Sequence, residues 1–359
     1  MTVSSSIRSR AVPILLLMSV VASIARLHAQ DPIRVVTTLT TYAAIAREIV
    51  GDRAEVTAIA DPAENPHSIQ PKPSLVSIVK RADLLISTGL DLELWLPSVL
   101  DKANNPRVAS GSPGFVAVSY GISLLDVPET LSRTEGEIHI YGNHHIWTEP
   151  ANAIIIGNNI LTGLQRVDPA NASYYEERYA AWVDRIMRAY VGDELVEMLG
   201  QDLLVDLDRE GELWSFLTTQ AYQGRPLVER VGGWLSNGRS LRGREMACYH
   251  KQWSYFSRSF GVSCAVYIEP KPGVPPTPRH VASVISTMRE RGITVLLAAN
   301  YYDRDQVQMV ARRTGAQAVI IPLNVDAAPN TETFIDLMDV WVDALTAAFT
   351  DAAAASNPE

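Results

Sequence analysis

Beyond its first thirty residues this chain lacks a second long apolar run, has only two cysteines, carries fewer basic than acidic residues and contains no low-complexity tract. Each absence excludes something. A helix that spans a bilayer needs roughly 20 consecutive apolar residues, and the nearest approach is the 15-residue stretch from Ala11 to Ala25. Arg8 and Arg10 precede that stretch and the small residue Ala29 follows it, which is the grammar of a secretory signal peptide. Residues 1–29 are therefore expected to be removed on export, with an uncleaved anchor as the alternative. With no cysteine near this junction, lipid attachment there is not expected. The shortage of basic residues gives a formal charge of −9, and loss of Arg8, Arg10 and Arg26, with no acid among them, makes it −12. An acidic surface argues against a nucleic-acid partner and is compatible with attracting cations. Two further absences bear on chemistry. There is no His-Glu-x-x-His metal motif and no phosphate-binding Gly-x-x-x-x-Gly-Lys loop.

The two cysteines, Cys248 and Cys264, would meet oxidising conditions after export. Cys248 falls near the end of one expected strand and Cys264 near the start of the next. Parallel strands would hold such positions at opposite edges of a sheet, too far apart for a bridge, so two buried free thiols are expected.

What is present reads as a two-lobed α/β protein. At 359 residues the chain exceeds a typical single domain. From Ile33 it alternates short apolar runs with segments of helical period, the pattern of parallel sheets flanked by helices. Strands are expected at 33–38, 54–60 and 83–88, with helices near 40–50, 73–82 and 92–103. The same grammar resumes at Glu245, with strands near 245–249, 263–268, 294–299 and 317–321. Helices are expected between them, and a closing helix from about 331 to 354. Between the two runs, Tyr174 to about Tyr190 reads as a single helix acting as a stiff linker. The expected division is thus residues 30–167 for an N-terminal lobe, 168–192 for the linking helix and 193–359 for a C-terminal lobe. Residues 191–244, helical and acidic at first and then glycine-rich around Gly232-Gly233-Trp234, are harder to read and are assigned to the C-terminal lobe.

Three histidines occupy comparable places. His67 follows the second expected strand, His145 precedes a helix that Pro150 opens, and His250 directly ends a strand. In open α/β sheets the carboxyl ends of the strands line the ligand crevice, so these three side chains are positioned to share a site. Spacing alone does not establish one, since a single loop histidine is more often hydrogen-bonded locally than bound to metal.

At this point the residues resemble a known family. Asn65-Pro66-His67-Ser68-Ile69-Gln70-Pro71-Lys72-Pro73-Ser74 and Gly89-Leu90-Asp91-Leu92-Glu93-Leu94-Trp95-Leu96 are similar to segments of the periplasmic zinc and manganese binding proteins of ABC importers, the ZnuA/TroA-like family. So are Gly142-Asn143-His144-His145-Ile146-Trp147-Thr148-Glu149-Pro150, Tyr249-His250-Lys251-Gln252-Trp253 and Glu269-Pro270-Lys271-Pro272-Gly273. The resemblance runs through the mature chain. It implies a metal site between two lobes with His67, His145 and His250 as ligands, delivery to a membrane permease driven by a separate ATPase, a periplasmic location and a monomer.

Two departures stand out. Many members place a fourth, carboxylate ligand before a proline late in the chain, and here Ile321 precedes Pro322. The fourth position then falls to water or to an oxygen from Glu64, Asn300 or Asp303. The histidine-rich loop of many zinc importers is also missing, leaving His139 and His144 near the site, with His139 a possible auxiliary ligand. Three imidazoles suit Zn2+, whereas Mn2+, the alternative, prefers more oxygen. A three-histidine metalloenzyme is a competing class, but no general base is evident beyond Glu64 and Asp303 by position. A surface adhesin on the same scaffold is a third reading.

Overall fold

The computed structural model describes residues 32–128, 140–271 and 273–356. The expected signal peptide and His139 lie outside the described residues. Among these residues no helix is long and apolar enough to cross a membrane.

The first lobe is built from β1 (Ile33–Thr37), α1 (Thr40–Val50), β2 (Ala54–Ala58), α2 (Pro73–Val79), β3 (Leu84–Ser87), α3 (Leu96–Ala103), β4 (Phe115–Ala117) and α4 (Pro150–Val167). Its sheet is wholly parallel, in the order β2-β1-β3-β4. β3, with the sequence Leu-Leu-Ile-Ser, is buried along its whole length, as a central parallel strand covered on both faces must be. β4 has only three residues, too short to give a strand pattern in sequence. The strand order reverses between β1 and β3, and the buried Glu93 carboxylate pins the two strand ends there. It accepts from Thr38 Oγ1 at 2.6 Å and Thr88 N at 2.8 Å.

α5 (Ala172–Val191) follows, burying Tyr175, Trp182, Val183, Ile186, Met187, Tyr190 and Val191. This three-and-four spacing gives one apolar stripe. Trp182 alone removes roughly 4–6 kcal/mol worth of apolar area from water before conformational entropy is subtracted. The helix is more than a stiff rod between lobes. It packs along α1 and α4, where Tyr179 donates to Ile154 O at 3.0 Å, and its end enters the second lobe. There the backbones touch, since a Cβ on Gly233 would sit 2.1 Å from Ala189 O; with φ at +54° as well, only glycine fits.

The segment that resisted sequence reading forms α6 (Asp193–Leu199), α7 (Gln201–Arg209), α8 (Leu213–Thr219), the hairpin β5 (Ala221–Tyr222) and β6 (Arg225–Pro226), and α9 (Gly233–Asn237). The second parallel sheet contains β7 (Glu245–Cys248), β8 (Ser263–Tyr267), β9 (Val295–Ala299) and β10 (Gln317–Ile321), in the order β10-β9-β7-β8. The helices α10 (Ser254–Phe260), α11 (Pro278–Glu290), α12 (Arg304–Thr314) and α13 (Phe334–Ser356) complete the lobe. Its order reverses between β7 and β9, and His250 follows β7 at that point.

The free-thiol expectation is overturned: Cys248 and Cys264 form a disulfide, with their Cα atoms 5.6 Å apart. β7 has only four residues, so the two cysteines sit about two residue steps apart along neighbouring strands, roughly 6–7 Å of rise, rather than at distant edges. A register shift between Met246 and Ala247 brings them closer still.

The lobes share one apolar core that runs through their junction. Trp147, fully buried, donates to Leu323 O at 3.1 Å, and Tyr255 donates to Asn143 O at 2.7 Å. The fully buried Glu149 receives Arg258 Nε at 2.8 Å, and the second guanidinium nitrogen of Arg258 completes the pair.

Candidate metal centre

His67 sits in a short 3-10 turn, Pro66–Ser68, whose start is capped by Asn65 accepting from His67 N at 3.1 Å. Trp95 donates to Pro66 O at 2.9 Å and fixes this turn on the lobe. His145 ends the loop before α4 and is fully buried. Its orientation comes from Asn143, whose side-chain oxygen accepts from both His145 N and His145 Nδ1 at 3.0 Å. The amide nitrogen of Asn143 faces three acceptors, Asp126 Oδ2, Lys251 O and Ser254 Oγ, at 3.0–3.2 Å. That arrangement assigns the amide orientation and puts the proton of His145 on Nδ1. The other nitrogen, Nε2, is then directed at His67, whose Nε2 lies 3.2 Å away.

His250 comes from the second lobe and is nearly fully buried. Its Nδ1 donates to Glu269 Oε2, and Glu269 Oε1 is held by Gly273 N at 3.0 Å. Carboxylates and carbonyls that take one imidazole N–H in this way present the other nitrogen to a metal and raise its basicity. Asp126 supports the Asn143 arm. Burial works against its charge, but hydrogen bonds from Asn143, Ser254 and Lys251 outweigh it and hold its pKa below the usual carboxylate value.

The centroid spacing of the three rings matches that expected around one tetrahedral ion. Bonds of 2.0–2.1 Å place ligand nitrogens about 3.4 Å apart and imidazole centroids about 5.2 Å apart. The centroid separations are 5.3 Å for His67 and His145, 5.5 Å for His67 and His250, and 5.1 Å for His145 and His250. The structure therefore brings together all three residues singled out by position.

Two of the three suggested oxygen donors are engaged elsewhere. Glu64 faces Lys72 at 3.9 Å in a solvent-exposed ion pair. Asp303 caps α12, accepting from Asp305 N at 2.9 Å and Gln306 N at 3.2 Å. Asn300 donates through its amide nitrogen to Ala327 O at 2.9 Å, while its Oδ1 is buried with no hydrogen-bond partner among the described residues. Ile321, where a carboxylate was sought, is a buried β10 residue.

One residue was undervalued. His144, buried, lies 4.8 Å from the His67 ring and 4.7 Å from the His145 ring, centroid to centroid. His67, His144 and His145 each offer a ligand atom, all within 4.8 Å of one another. The sequence signal was the doubled histidine itself. Glu269 and Asn143 were visible only as members of longer motifs.

Two parallel-sheet lobes joined by a long helix, with converging histidines from both at the junction, make a two-lobed α/β protein with a candidate site for a divalent metal ion between its lobes. Residues 35–190 and 229–348 match the family model described as zinc-uptake complex component A, periplasmic, and the chain belongs to this family. It is similar to the iron-binding protein YfeA of Yersinia pestis, 27% identical over 324 residues that cover 88% of this chain and 86% of that protein. It also resembles the manganese ABC transporter substrate-binding lipoprotein PsaA of Streptococcus pneumoniae, 23% identical with 79% and 76% of the two chains covered. A crystal structure of ZnuA superposes with a TM-score of 0.64 at 18% identity, covering 89% of this chain and 100% of that one. Members of this family are substrate-binding proteins rather than enzymes, and they act with the permease and ATPase of an ABC importer.

Proposed function

We propose that this chain captures Zn2+ in the periplasm, with His67, His145 and His250 as ligands, and hands it to its membrane permease. The ion is cargo, held until delivery. The observation that carries this reading is the set of three imidazoles at tetrahedral spacing, two of them oriented by the hydrogen bonds they donate to Asn143 and Glu269. Nitrogen-rich, four-coordinate surroundings favour zinc, whereas manganese takes more oxygens and six-coordinate geometry. The relatives named for iron and manganese make Mn2+ and Fe2+ the alternatives. Water supplies the fourth position in this reading. The protein is exported by its N-terminal signal peptide and works as a monomer.

Because two ligands come from the first lobe and one from the second, metal adds a bond across the junction and favours the closed arrangement by its differential affinity for it. Elemental analysis of protein purified without added metal, followed by competition titrations of the metal-stripped protein with Zn2+, Mn2+ and Fe2+, tests the choice. Zinc bound one to one and far more tightly than manganese is the expected result. Tighter binding of manganese or iron under the same conditions would overturn it.

A further inference from the structure

We propose that His144 joins His67 and His145 in a receiving site, contained in the first lobe alone, that takes up the metal ion before His250 closes over it. This rests on the ligand reading above and extends it to a fourth histidine. Four observations carry it. The three first-lobe rings offer nitrogens within 4.8 Å of one another without any group from the second lobe. The His144 ring is buried and meets both His67 and His145. Its Nδ1 lies 3.4 Å from Leu90 O, a donor geometry that turns the far edge of the ring, with Nε2, away from that carbonyl. Finally, consecutive residues of an extended strand point to opposite faces, yet the rings of His144 and His145 converge, with their centroids 4.7 Å apart.

The His67–His145 pair is thus the shared edge of two ligand sets. One is completed by His144 on the same lobe, the other by His250 across the junction. An ion arriving at the separated lobes needs three donors to be held firmly, and a site that required closure beforehand would bind only through the fraction of molecules already closed. A first-lobe trio removes that requirement. Closure then exchanges His144 for His250, whose Nδ1 is anchored by Glu269.

The signature is that the contribution of His144 depends on His250. Zinc competition titrations would be run on the mature protein and on His67→Ala, His144→Ala, His250→Ala and the His144→Ala/His250→Ala pair. His144→Asn, which keeps a donor toward Leu90 O, and apo melting curves control for folding. With His250 present, loss of His144 should change equilibrium affinity by less than about threefold. In the His250→Ala background it should cost about 10- to 100-fold, the range for removing one supporting group from a metal site. Stopped-flow mixing should show slower zinc uptake by His144→Ala even where the equilibrium affinity is kept. Equal costs in both backgrounds, small or large, together with an unchanged uptake rate, would overturn the receiving site. Zinc binding that survives His67→Ala unchanged would instead overturn the ligand reading itself, so the two failures are distinguishable.

Discussion

At the scale of single residues, the decisive groups are those that aim the imidazoles. His250 lies just past the end of β7, and Glu269 on the neighbouring segment fixes its ring by accepting a hydrogen bond from Nδ1. Glu269→Gln keeps the size and one acceptor oxygen but loses the charge that makes the imidazole a stronger donor. Zinc affinity should fall about 10- to 100-fold, as for other outer partners of metal-bound histidines, while the apo melting temperature moves little. A calorimetric zinc titration against a competing chelator checks this, and affinity equal to that of the parent would show that Glu269 has no such role. The three histidines proposed as ligands could be singled out by position in the sequence because strand ends in α/β proteins converge. Glu269 and Asn143 were not, since nothing in a one-dimensional sequence pairs Glu269 with His250 or tells which face of the Asn143 amide meets His145.

At the scale of elements, α5 and α7 are joined by a buried polar contact with a titratable consequence. Tyr190 on α5 donates to Asp208 Oδ1 at 2.7 Å, and Asp208 Oδ2 is buried with no hydrogen-bond partner among the described residues. Burial, and then the charge of Glu149, push the Asp208 pKa up to about 8, against the opposing pull of the Tyr190 hydrogen bond and of Arg258 and Arg242. The folded protein therefore holds a proton on Asp208 that the unfolded chain releases near pH 4. This stabilisation is complete at and below about pH 4 and is lost as pH rises through about 8, by at most ~1.4 kcal/mol per pH unit. Asp208→Asn, which keeps a polar group of the same shape and does not ionise, should flatten the decline in stability between pH 5 and pH 9. Urea unfolding of metal-free protein at several pH values measures it, and an unchanged slope would contradict the assignment. The elements themselves were largely legible, as the strands 33–37, 54–58 and 317–321 show. β4 escaped because three residues carry no period, and the helical start of 191–244 was read without its division into α6 and α7 or the α8 and α9 that follow, because helices of five to nine residues carry too few turns to show a period. The disulfide was misread because a four-residue strand was treated as long enough to have distant edges.

At the scale of the whole molecule, the two sheets face a common junction through the loops that leave their strands. The junction is sealed by apolar packing and by the buried Arg258–Glu149 pair, so the histidines meet in a site mostly shielded from solvent. Removing one member of such a pair leaves a buried charge unmatched, which is strongly destabilising. The two-lobe plan followed from the repeat of α/β grammar on either side of a long helix. The closeness of the lobes did not, because contacts such as Trp147 with Leu323 join residues 176 positions apart. The claim on which everything else depends is that one divalent ion sits among His67, His145 and His250. Crystals of the protein loaded with one equivalent of Zn2+, measured on both sides of the zinc absorption edge, test it directly. The account predicts a single strong anomalous peak about 2.0–2.1 Å from one nitrogen of each of the three rings; a peak elsewhere, or one that touches fewer than two of them, would contradict it.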